Sequence, residues 1–394
     1  MISPAAEFKR GWPTLIGCFV GIASGVSSTY FYSLGIFIKP MAAEFGWSRG
    51  AASLGALCGI GGAALMAVPT GRLVDRFGSV PVGIGSLLML ALWFAVLGWV
   101  TRDLGSFLAA SALLSLLTAG SSPLSFTRLV VAAFDRHRGL ALGMVLAATG
   151  MGAILVPQLL TPYVAHHGWR AGYLVMALIV AAASLPAWWF LAGANRQSAQ
   201  RSPPIALGVL MADRAVRLLG LIFFLAAIAI LGTVVQFVPM LSDWGLPPAR
   251  AGAAASLIGA AAIGGRIVVG ALLDRLGPQR VTTGLFTFAA FGLALLGWRG
   301  VTLAPFGALV IGFTVGAEVD LVAFSVARFF ARSVYGQVYG AIYALFLVGG
   351  AIGPPLSGQL RDLSGDYRLS LMVMAGLLLI SALIASRISM LAPN

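Results

Sequence analysis

Long apolar stretches follow one another along almost the entire chain, and this pattern constrains the fold more than any other feature. Of the 394 residues, 59% are hydrophobic and only 9% are charged, whereas a soluble domain carries about 25% charged residues. A chain with so few charges cannot cover its surface with polar groups. Because a membrane-spanning helix needs about 20 apolar residues, the chain has room for twelve crossings joined by short loops.

Charged residues and turn residues divide the chain into twelve predicted spans. These spans are expected near residues 13–38, 51–70, 80–100, 105–131, 139–161, 171–193, 215–241, 250–273, 281–298, 302–327, 335–360 and 369–390. The longest polar interruption begins at Ala194 and separates six spans from six. The sequence therefore predicts an all-α membrane protein with an N-terminal six-helix bundle over residues 1–193, a cytoplasmic linker over residues 194–214 and a C-terminal six-helix bundle over residues 215–394.

Lysine and arginine residues are distributed unevenly between the two sides of the predicted membrane. Sixteen lie on the side of the N-terminus and eight on the other side, while Arg266 lies inside a span. Since cytoplasmic loops carry the excess of basic residues, we expect both termini in the cytoplasm. The N-terminal segment has no cleavable signal pattern, so we expect it to be retained. The expected location is the plasma membrane, which is the inner membrane of a bacterium.

Composition also excludes several classes of function. The net charge of +13 would suggest a nucleic-acid partner for a soluble protein, but here the basic residues lie between spans, where they set orientation. Two cysteines and three histidines give no metal-ligand spacing, and no nucleotide-binding loop or clustered nucleophile and base is present. We therefore expect no enzyme activity, cofactor, metal or nucleic-acid partner, and a monomer surrounded by the lipid bilayer.

An internal repeat relates the two halves of the chain. Gly71-x-x-x-Asp75-Arg76-x-Gly78 follows the second span and Gly270-x-x-x-Asp274-Arg275-x-Gly277 follows the eighth, at an offset of 199 residues. Such glycines allow a tight reversal, and the charged pair can cap helix ends. The repeated motif resembles the signature loop of the major facilitator superfamily, over essentially the whole chain. The resemblance implies the major facilitator fold of two pseudo-symmetric six-helix bundles, in which these eight residues gate the halves without touching substrate.

Further segments support a narrower resemblance. They are Ala133 to Gly143, Gly264 to Gly270, Ala317 to Leu321 and Gly353 to Tyr367. These segments are similar to those of monocarboxylate transporters and their bacterial oxalate/formate relatives, and the resemblance implies that Arg266 binds substrate. Two positions depart from that group. Tyr32 stands where several animal members have a lysine, and Ala262 stands where a carboxylate precedes the arginine by one turn.

Arg266 is the residue whose position most strongly indicates chemistry. An arginine inside a span costs about 2.5–3.5 kcal/mol to insert, so it needs a partner or a water-filled cavity. Its planar guanidinium can hold a carboxylate through two parallel hydrogen bonds and stays charged at physiological pH. We interpret Arg266 as an anion-binding residue, and the alternative is a structural ion pair with a neighbouring helix.

Glu318 and Asp320 are the acids deep within a predicted span. Two residues apart on an α-helix, their side chains point about 200° apart, so both cannot face one cavity. One acid is expected to pair with a base such as Arg328 or Arg332, and the other to carry a proton, because burial favours the neutral form. Asp320 is the better candidate for a contact with Arg266.

Polar and aromatic residues in other spans complete the set of candidates. They are Ser27, Ser28, Thr29, Tyr30 and Tyr32 in the first span, Gln236 in the seventh, and Gln337, Tyr339 and Tyr343 in the eleventh. Tyrosine combines an apolar ring with a hydrogen-bonding hydroxyl, which suits a cavity wall. We expect Tyr30, Tyr32, Gln236, Tyr339 and Tyr343 to bind substrate with Arg266, and packing between helices is the alternative.

Together these features favour secondary active transport of a small organic anion, a monocarboxylate, by alternating access. Coupling could be proton symport or anion exchange, so protons are an expected second partner. The alternative is a proton-driven exporter of drugs or lipophilic metabolites, which the same fold allows. The buried arginine favours the anion, and nothing resembles the repeated selectivity filter of a channel.

Overall fold

A computed structural model describes residues 4–134, 138–193, 212–330 and 335–387 of the protein. All regular secondary structure in these ranges is helical, as predicted. The helices are α1 (Pro4–Ser24), α2 (Val26–Phe45), α3 (Arg49–Phe77), α4 (Ser79–Val100), α5 (Leu104–Thr118), α6 (Pro123–Ala133), α7 (Arg138–His167), α8 (Trp169–Leu191), α9 (Arg214–Asp243), α10 (Pro248–Leu276), α11 (Pro278–Arg299), α12 (Ala304–Phe329), α13 (Tyr335–Ser364) and α14 (Arg368–Ser386), with 3₁₀ turns at Ala119–Ser121 and Gly300–Leu303. Most of the expected linker, residues 194–214, lies outside the described ranges.

Eleven stretches of described residues are long and apolar enough to cross a membrane. The longest, Pro278–Val326, has 49 residues, or about 74 Å of helix at 1.5 Å per residue, and contains both α11 and α12. These two helices pack as a hairpin, with Gly292 against Val310 and Gly307 against Leu296. The described residues therefore make twelve crossings, and the protein is an integral membrane protein.

The first crossing consists of two helices, because α1 and α2 are separated at Gly25, whose backbone is extended (φ −73°, ψ 170°). Gly17 of α1 packs against Leu191 at the end of α8. Glu44, near the end of α2, accepts a hydrogen bond from Trp169 at the start of α8. The residues between Gly17 and Glu44 therefore run antiparallel to the whole of α8, and α1 and α2 form one crossing.

The fourth crossing is also broken, between α5 and α6, and the two breaks lie against each other. The N–H group of Val26 donates to Ser121 Oγ at 3.2 Å. A side chain at Gly25 would collide with the carbonyl oxygen of Ser121, so only glycine fits at the first break. Non-helical backbone is tolerated at membrane depth where the protein itself satisfies its polar groups.

Hydroxyl groups of α2 donate additional hydrogen bonds to carbonyl oxygens at the first break. Ser28 Oγ donates to the carbonyl of Ile22 at 2.6 Å, and Thr29 Oγ1 donates to the carbonyl of Gly25 at 2.9 Å. Both side chains are buried. For Ser28 and Thr29, the polar character that the sequence suggested for a cavity wall therefore serves the helix break.

We call the end of the bundle where α1 begins and α14 ends the terminal face, and the other end the opposite face. The repeated motif lies at the terminal face. The predicted spans end at residues 70 and 273, but α3 continues to Phe77 and α10 to Leu276. Gly71 and Gly270 thus lie in helices and not in loops, because helical hydrogen bonding continues beyond the apolar stretch.

The chain reverses at the last glycine of each motif. Gly78 has φ 91° and Gly277 has φ 76°, which is the left-handed region that favours glycine. Their N–H groups donate to the carbonyls of Val74 and Leu273 and so close the two helices. The tight reversal that the sequence predicted at these positions is confirmed.

The first half, residues 4–193, and the second half, residues 212–387, contact each other along three pairs of helices. These pairs are α3 with α13, α7 with α10 and α2 with α9. Near the opposite face, a side chain at Gly358 of α13 would press on the carbonyl of Arg49, and the backbone of Pro157 leaves no room for one at Gly252. Small residues of this kind allow helices to approach closely in membranes.

Towards the terminal face, four glycines of the same interface helices make no such contact with the described residues. Gly143 of α7, Gly264 and Gly270 of α10 and Gly340 of α13 have none of their atoms within 4 Å of the position where a side chain would begin. The close glycine contacts between the two halves therefore lie at the opposite face and not at these four positions.

Candidate functional site

Arg266 lies deep inside α10, ten residues before the helix ends at Leu276, which corresponds to about 15 Å of helix. Two glycines let α10 and α12 pack backbone against backbone at this level. Gly316 of α12 lies against the carbonyl of Ala262, and Gly265 of α10 lies against the backbone of Phe313. This close packing brings the guanidinium of Arg266 next to α12.

Only one of the three guanidinium nitrogens of Arg266 contacts neighbouring polar groups of the described residues. Its Nε atom lies 3.3 Å from Asp320 Oδ2 and 3.3 Å from the carbonyl oxygen of Gly316. Neither terminal nitrogen has a hydrogen-bond partner among the described residues. The side chains of Arg266 and Asp320 are 25% and 29% exposed, so neither is fully buried.

Glu318 has different surroundings from Asp320, as their positions on α12 predict. Its side chain is 1% exposed, and neither carboxyl oxygen has a hydrogen-bond partner in the described part of the chain. An ionised carboxylate without a partner is costly to bury. This environment therefore fits the neutral, protonated form of Glu318.

From the sequence, we expected either Glu318 or Asp320 to pair with a basic residue. Asp320 does so, and its partner is Arg266. Arg328 is exposed near the end of α12, and Arg332 lies outside the described residues. Ala262, one turn before Arg266 on the same helix, carries no carboxylate, so the acid that pairs with Arg266 comes from α12.

Tyr32 lies on α2 of the first half. Its ring makes an edge contact with Phe31, with 5.0 Å between the ring centroids. A contact of Tyr32 with substrate stays a prediction.

Tyr339 and Tyr343 form an aromatic column on α13. Their rings are parallel within 7° and their centroids are 5.7 Å apart, and Tyr343 stacks in the same way on Phe346 at 5.7 Å. The predicted common face of the two tyrosines is confirmed. The side chain of Gln337, two residues before Tyr339, is outside the described part of the structure.

Tyr30 is buried within the first half, away from any open space. Its hydroxyl donates to the carbonyl of Gly55 at 3.1 Å, and its ring lies 6.4 Å from that of Phe94. A side chain at Gly59 would collide with the Tyr30 ring. Tyr30 therefore packs α2 against α3 in this state of the protein.

Gln236 has its whole amide group engaged. Its Nε2 atom donates to Ser53 Oγ at 2.6 Å and to the carbonyl of Pro354 at 3.1 Å, and its Oε1 atom accepts from the Tyr367 hydroxyl at 3.1 Å. Ser53 belongs to the first half and the other partners to the second. In this conformation Gln236 connects the two halves.

Five charged residues form a cluster at the opposite face. The sequence did not predict that they would contact one another, and the lysine and arginine residues among them were used only to predict orientation. The cluster consists of Lys39, Arg49, Asp243, Arg361 and Asp362, and we call it the ion cluster. These residues lie near the same-side ends of the first, second, seventh and eleventh crossings. That common placement was the signal available in the sequence.

The repeated motif lies at the terminal face. Arg76 has its guanidinium 5.2 Å from the ring centroid of Phe77 in its own helix, and Arg275 is exposed. The side chains of Asp75 and Asp274 lie outside the described part of the structure. The gating role of the motif stays a prediction.

No group of three or more metal-ligating side chains occurs among the described residues. The two cysteines, Cys18 and Cys58, are free thiols in the first two crossings.

Comparison with known proteins gives a consistent picture. The family profile described as Major Facilitator Superfamily matches residues 20–341. The chain is 26% identical to human monocarboxylate transporter 11 over 400 residues, which cover 95% of this chain and 83% of that protein. It is 27% identical to rat monocarboxylate transporter 4 over 409 residues, covering 95% and 82%. It is 24% identical to the 3-(3-hydroxy-phenyl)propionate transporter of Escherichia coli K12 over 327 residues, covering 81% and 78%.

Proposed function

The chain belongs to the major facilitator superfamily, and we propose that it is a secondary active transporter of a small organic anion, a monocarboxylate, by alternating access. It is a transporter and not an enzyme. The relatives named above include carriers of monocarboxylates and of a phenylpropionate, and each of these substrates has one carboxylate. Fold alone does not determine substrate, so the proposal depends on the site.

The free edge of the Arg266 guanidinium is the observation that carries this proposal. Its terminal nitrogens lack partners among the described residues, while Nε is held by Asp320 and Gly316. A guanidinium fixed in this way presents two parallel N–H donors to a carboxylate. The alternative of a cation exporter needs an acid left open to the cavity, and the accessible acid, Asp320, is already paired.

Charge balance at the site supports coupling to a proton or to a second anion. The pair of Arg266 and Asp320 has no net charge, so a bound monocarboxylate adds one negative charge in a region of low dielectric constant. A proton taken up by Asp320 would remove that charge, which is symport. Glu318 would instead carry the proton by holding it while substrate is bound and releasing it later in the cycle. In anion exchange, a second anion leaves on the same carrier cycle instead.

Aromatic residues on both halves are proposed to enclose the rest of the substrate. Tyr32 lies on α2 of the first half, and Tyr339 and Tyr343 provide stacked rings on α13 of the second. Tyr30 and Gln236 have occupied hydroxyl and amide groups in this conformation. For Gln236, direct substrate contact requires the state in which the interface opens. For Tyr30, it requires the loss of its hydrogen bond to Gly55 within the first half.

The arrangement in the cell is also part of the proposal. Both termini and the linker at residues 194–214 are placed in the cytoplasm, in the plasma membrane, with one six-helix bundle over residues 1–193 and one over 215–394, in a monomer. Contact of the two halves at the opposite face then makes this a state closed to the outside. The positive-inside distribution of lysine and arginine supports this orientation.

Uptake into liposomes tests the substrate class and the coupling together. Purified protein would be reconstituted and offered radiolabelled monocarboxylates, dicarboxylates, aromatic acids and a lipophilic cation, each with and without an imposed pH gradient. We expect uptake of at least one monocarboxylate, accelerated either by an inward proton gradient or by an anion preloaded inside. Transport of the cation alone would overturn the proposal.

A further inference from the structure

Asp243, the last residue of α9, is shared by three cations at the opposite face. Its Oδ1 atom lies 2.9 Å from Lys39 Nζ and 3.0 Å from Arg49 Nη2, and its Oδ2 atom lies 3.2 Å from Arg361 Nη2. Lys39 and Arg49 belong to the first half, whereas Asp243 and Arg361 belong to the second. One carboxylate thus connects α2 and α3 across the interface to α9 and α13.

Asp362 makes a second connection between the halves at the same level. Its Oδ1 atom accepts from the Arg49 backbone N–H at 3.1 Å and its Oδ2 atom from that of Gly50 at 2.7 Å. These are the first amides of α3, and a carboxylate at a helix N-terminus is stabilised by the free N–H groups and the helix dipole. The same carboxylate lies 3.5 Å from Arg361.

A neutral hydrogen bond lies one turn deeper in the membrane. Ser53, which follows Arg49 by one turn on α3, accepts from Gln236 of the second half at 2.6 Å. Ser53 Oγ itself donates to the Arg49 carbonyl at 2.6 Å. The ionic contacts and this buried contact form two successive layers that close the interface.

The ion cluster has more positive than negative charges, so its stability depends on the carboxylate of Asp243. It contains three cations and two carboxylates. Arg49 is 11% and Asp243 16% exposed, and Arg49 Nη1 and Arg361 Nε are buried without a partner among the described residues. Without Asp243, three cations would face one carboxylate, and like charges held together at low exposure repel strongly.

We propose that the ion cluster is the gate at the opposite face, that Asp243 holds it shut, and that transport requires these contacts to break. The structure is in the state expected with this gate closed, because the contacts of Asp243 and Asp362 between the halves are formed. The inference rests on alternating access and not on the substrate class, so it can fail or hold independently of anion transport.

A distance measurement between the halves tests the gate without any substrate. Cys18 and Cys58 would be replaced by alanine, and spin labels attached at Arg102→Cys and Arg299→Cys, which are exposed positions at the opposite face, one in each half. Double electron–electron resonance would then report the distance across the gate. In Asp243→Asn we expect the ratio of long to short distances to rise about tenfold or more, as truncation of a buried charge pair predicts.

Glu44→Gln is the matched control. Glu44 is an acid of the opposite face whose partners, Trp169 and Arg170, lie in the same half. Its removal takes away charge-assisted hydrogen bonds without touching the contact between halves. We expect an unchanged distance distribution in this variant.

A second variant keeps the test valid if Asp243→Asn is poorly folded. In Asp243→Asn/Arg49→Gln one of the repelling cations is also removed, so the distribution is expected to return part of the way to the short distance. Size-exclusion profiles and thermal unfolding would verify folding of each variant. Unchanged distances in folded Asp243→Asn, or equal lengthening in Glu44→Gln, would overturn the proposal.

Discussion

The ion pair between Arg266 and Asp320 explains how a permanently charged side chain is held in the middle of a membrane helix. An unpaired arginine would be costly there, and Asp320 removes the net charge while it binds only Nε. The same contact fixes the plane of the guanidinium. Pairing and substrate binding are therefore compatible roles, although the sequence analysis treated them as alternatives.

Glu318 is the residue whose replacement separates binding from coupling. In Glu318→Gln the side chain keeps its size but cannot release a proton, so we expect substrate exchange to continue while proton-driven accumulation is lost. A loss of about tenfold or more in accumulation, with exchange within about twofold of wild type, would follow from such a role. The measurement is uptake with an imposed pH gradient, compared with counterflow at equal pH.

Asp320→Asn is the companion variant, because Asp320 is the acid that pairs with Arg266. If symport is driven by Asp320, this variant and not Glu318→Gln will lose the response to the pH gradient. If both variants keep the full response, neither acid carries the proton, and the coupling part of the proposal is wrong.

The contact between α10 and α12 positions the site through glycine. Gly316→Ala would add a methyl group where the Ala262 carbonyl already lies, and overpacking of this kind costs about 1–3 kcal/mol. We expect a lower melting temperature and weaker substrate binding, because α12 must move away from Arg266. Thermal unfolding and substrate binding of the purified variant check this.

Gly284→Ala is its control, since Gly284 on α11 has open space around the added methyl group. Helix propensity favours alanine over glycine by about 1 kcal/mol, so this variant should be unchanged or slightly more stable. Equal destabilisation in both variants would show that the α10–α12 contact has no special importance.

The helices could be predicted from apolar length, but their breaks could not. The sequence predicted one continuous helix for each of the spans near residues 13–38 and 105–131. The interruptions, at Gly25 and at Ser122-Pro123, are too short to divide an apolar stretch. Their breaks become understandable only when Ser121 is seen to bond the first helix pair. Tertiary contact supplies the partner that makes the irregular backbone stable.

In the candidate site, too, some features could be predicted from the sequence and others could not. The depth of Arg266 and the divergent directions of Glu318 and Asp320 follow from helix geometry, and both were predicted. The engagement of Gln236 by Ser53 and Tyr367, and the sharing of Asp243 by three cations, join residues more than a hundred positions apart. Nothing local in the sequence encodes such partners.

The orientation of the entire bundle can be tested with two exposed positions. In a background with Cys18 and Cys58 replaced by alanine, Arg250→Cys lies at the opposite face and Arg387→Cys at the terminal face. A membrane-impermeant maleimide should label position 250 in intact cells and position 387 only after permeabilisation. The reverse pattern would invert the topology and make the present state one closed to the cytoplasm.

Alternating access also requires contacts at the terminal face when the halves close there. The repeated motif is placed to make them, so Asp75→Asn and Asp274→Asn should slow transport and shift the balance of states while substrate affinity stays within about threefold. A ligand shifts such a balance only through differential stabilisation. Loss of binding with normal accessibility changes in either variant would contradict a gating role.

The most direct test of the account is the affinity of purified protein for its best-transported monocarboxylate, measured by calorimetry for wild type, Arg266→Lys, Arg266→Ala and the control Arg328→Ala. Arg328 is an exposed arginine near the end of α12 and should not affect binding. Loss of a buried charge-assisted contact typically costs 2–5 kcal/mol, so we expect Arg266→Ala to bind at least about 30-fold more weakly. Arg266→Lys should also bind poorly, because it keeps the charge but loses the planar pair of donors. A folded Arg266→Ala protein that binds the carboxylate with unchanged affinity would contradict the account.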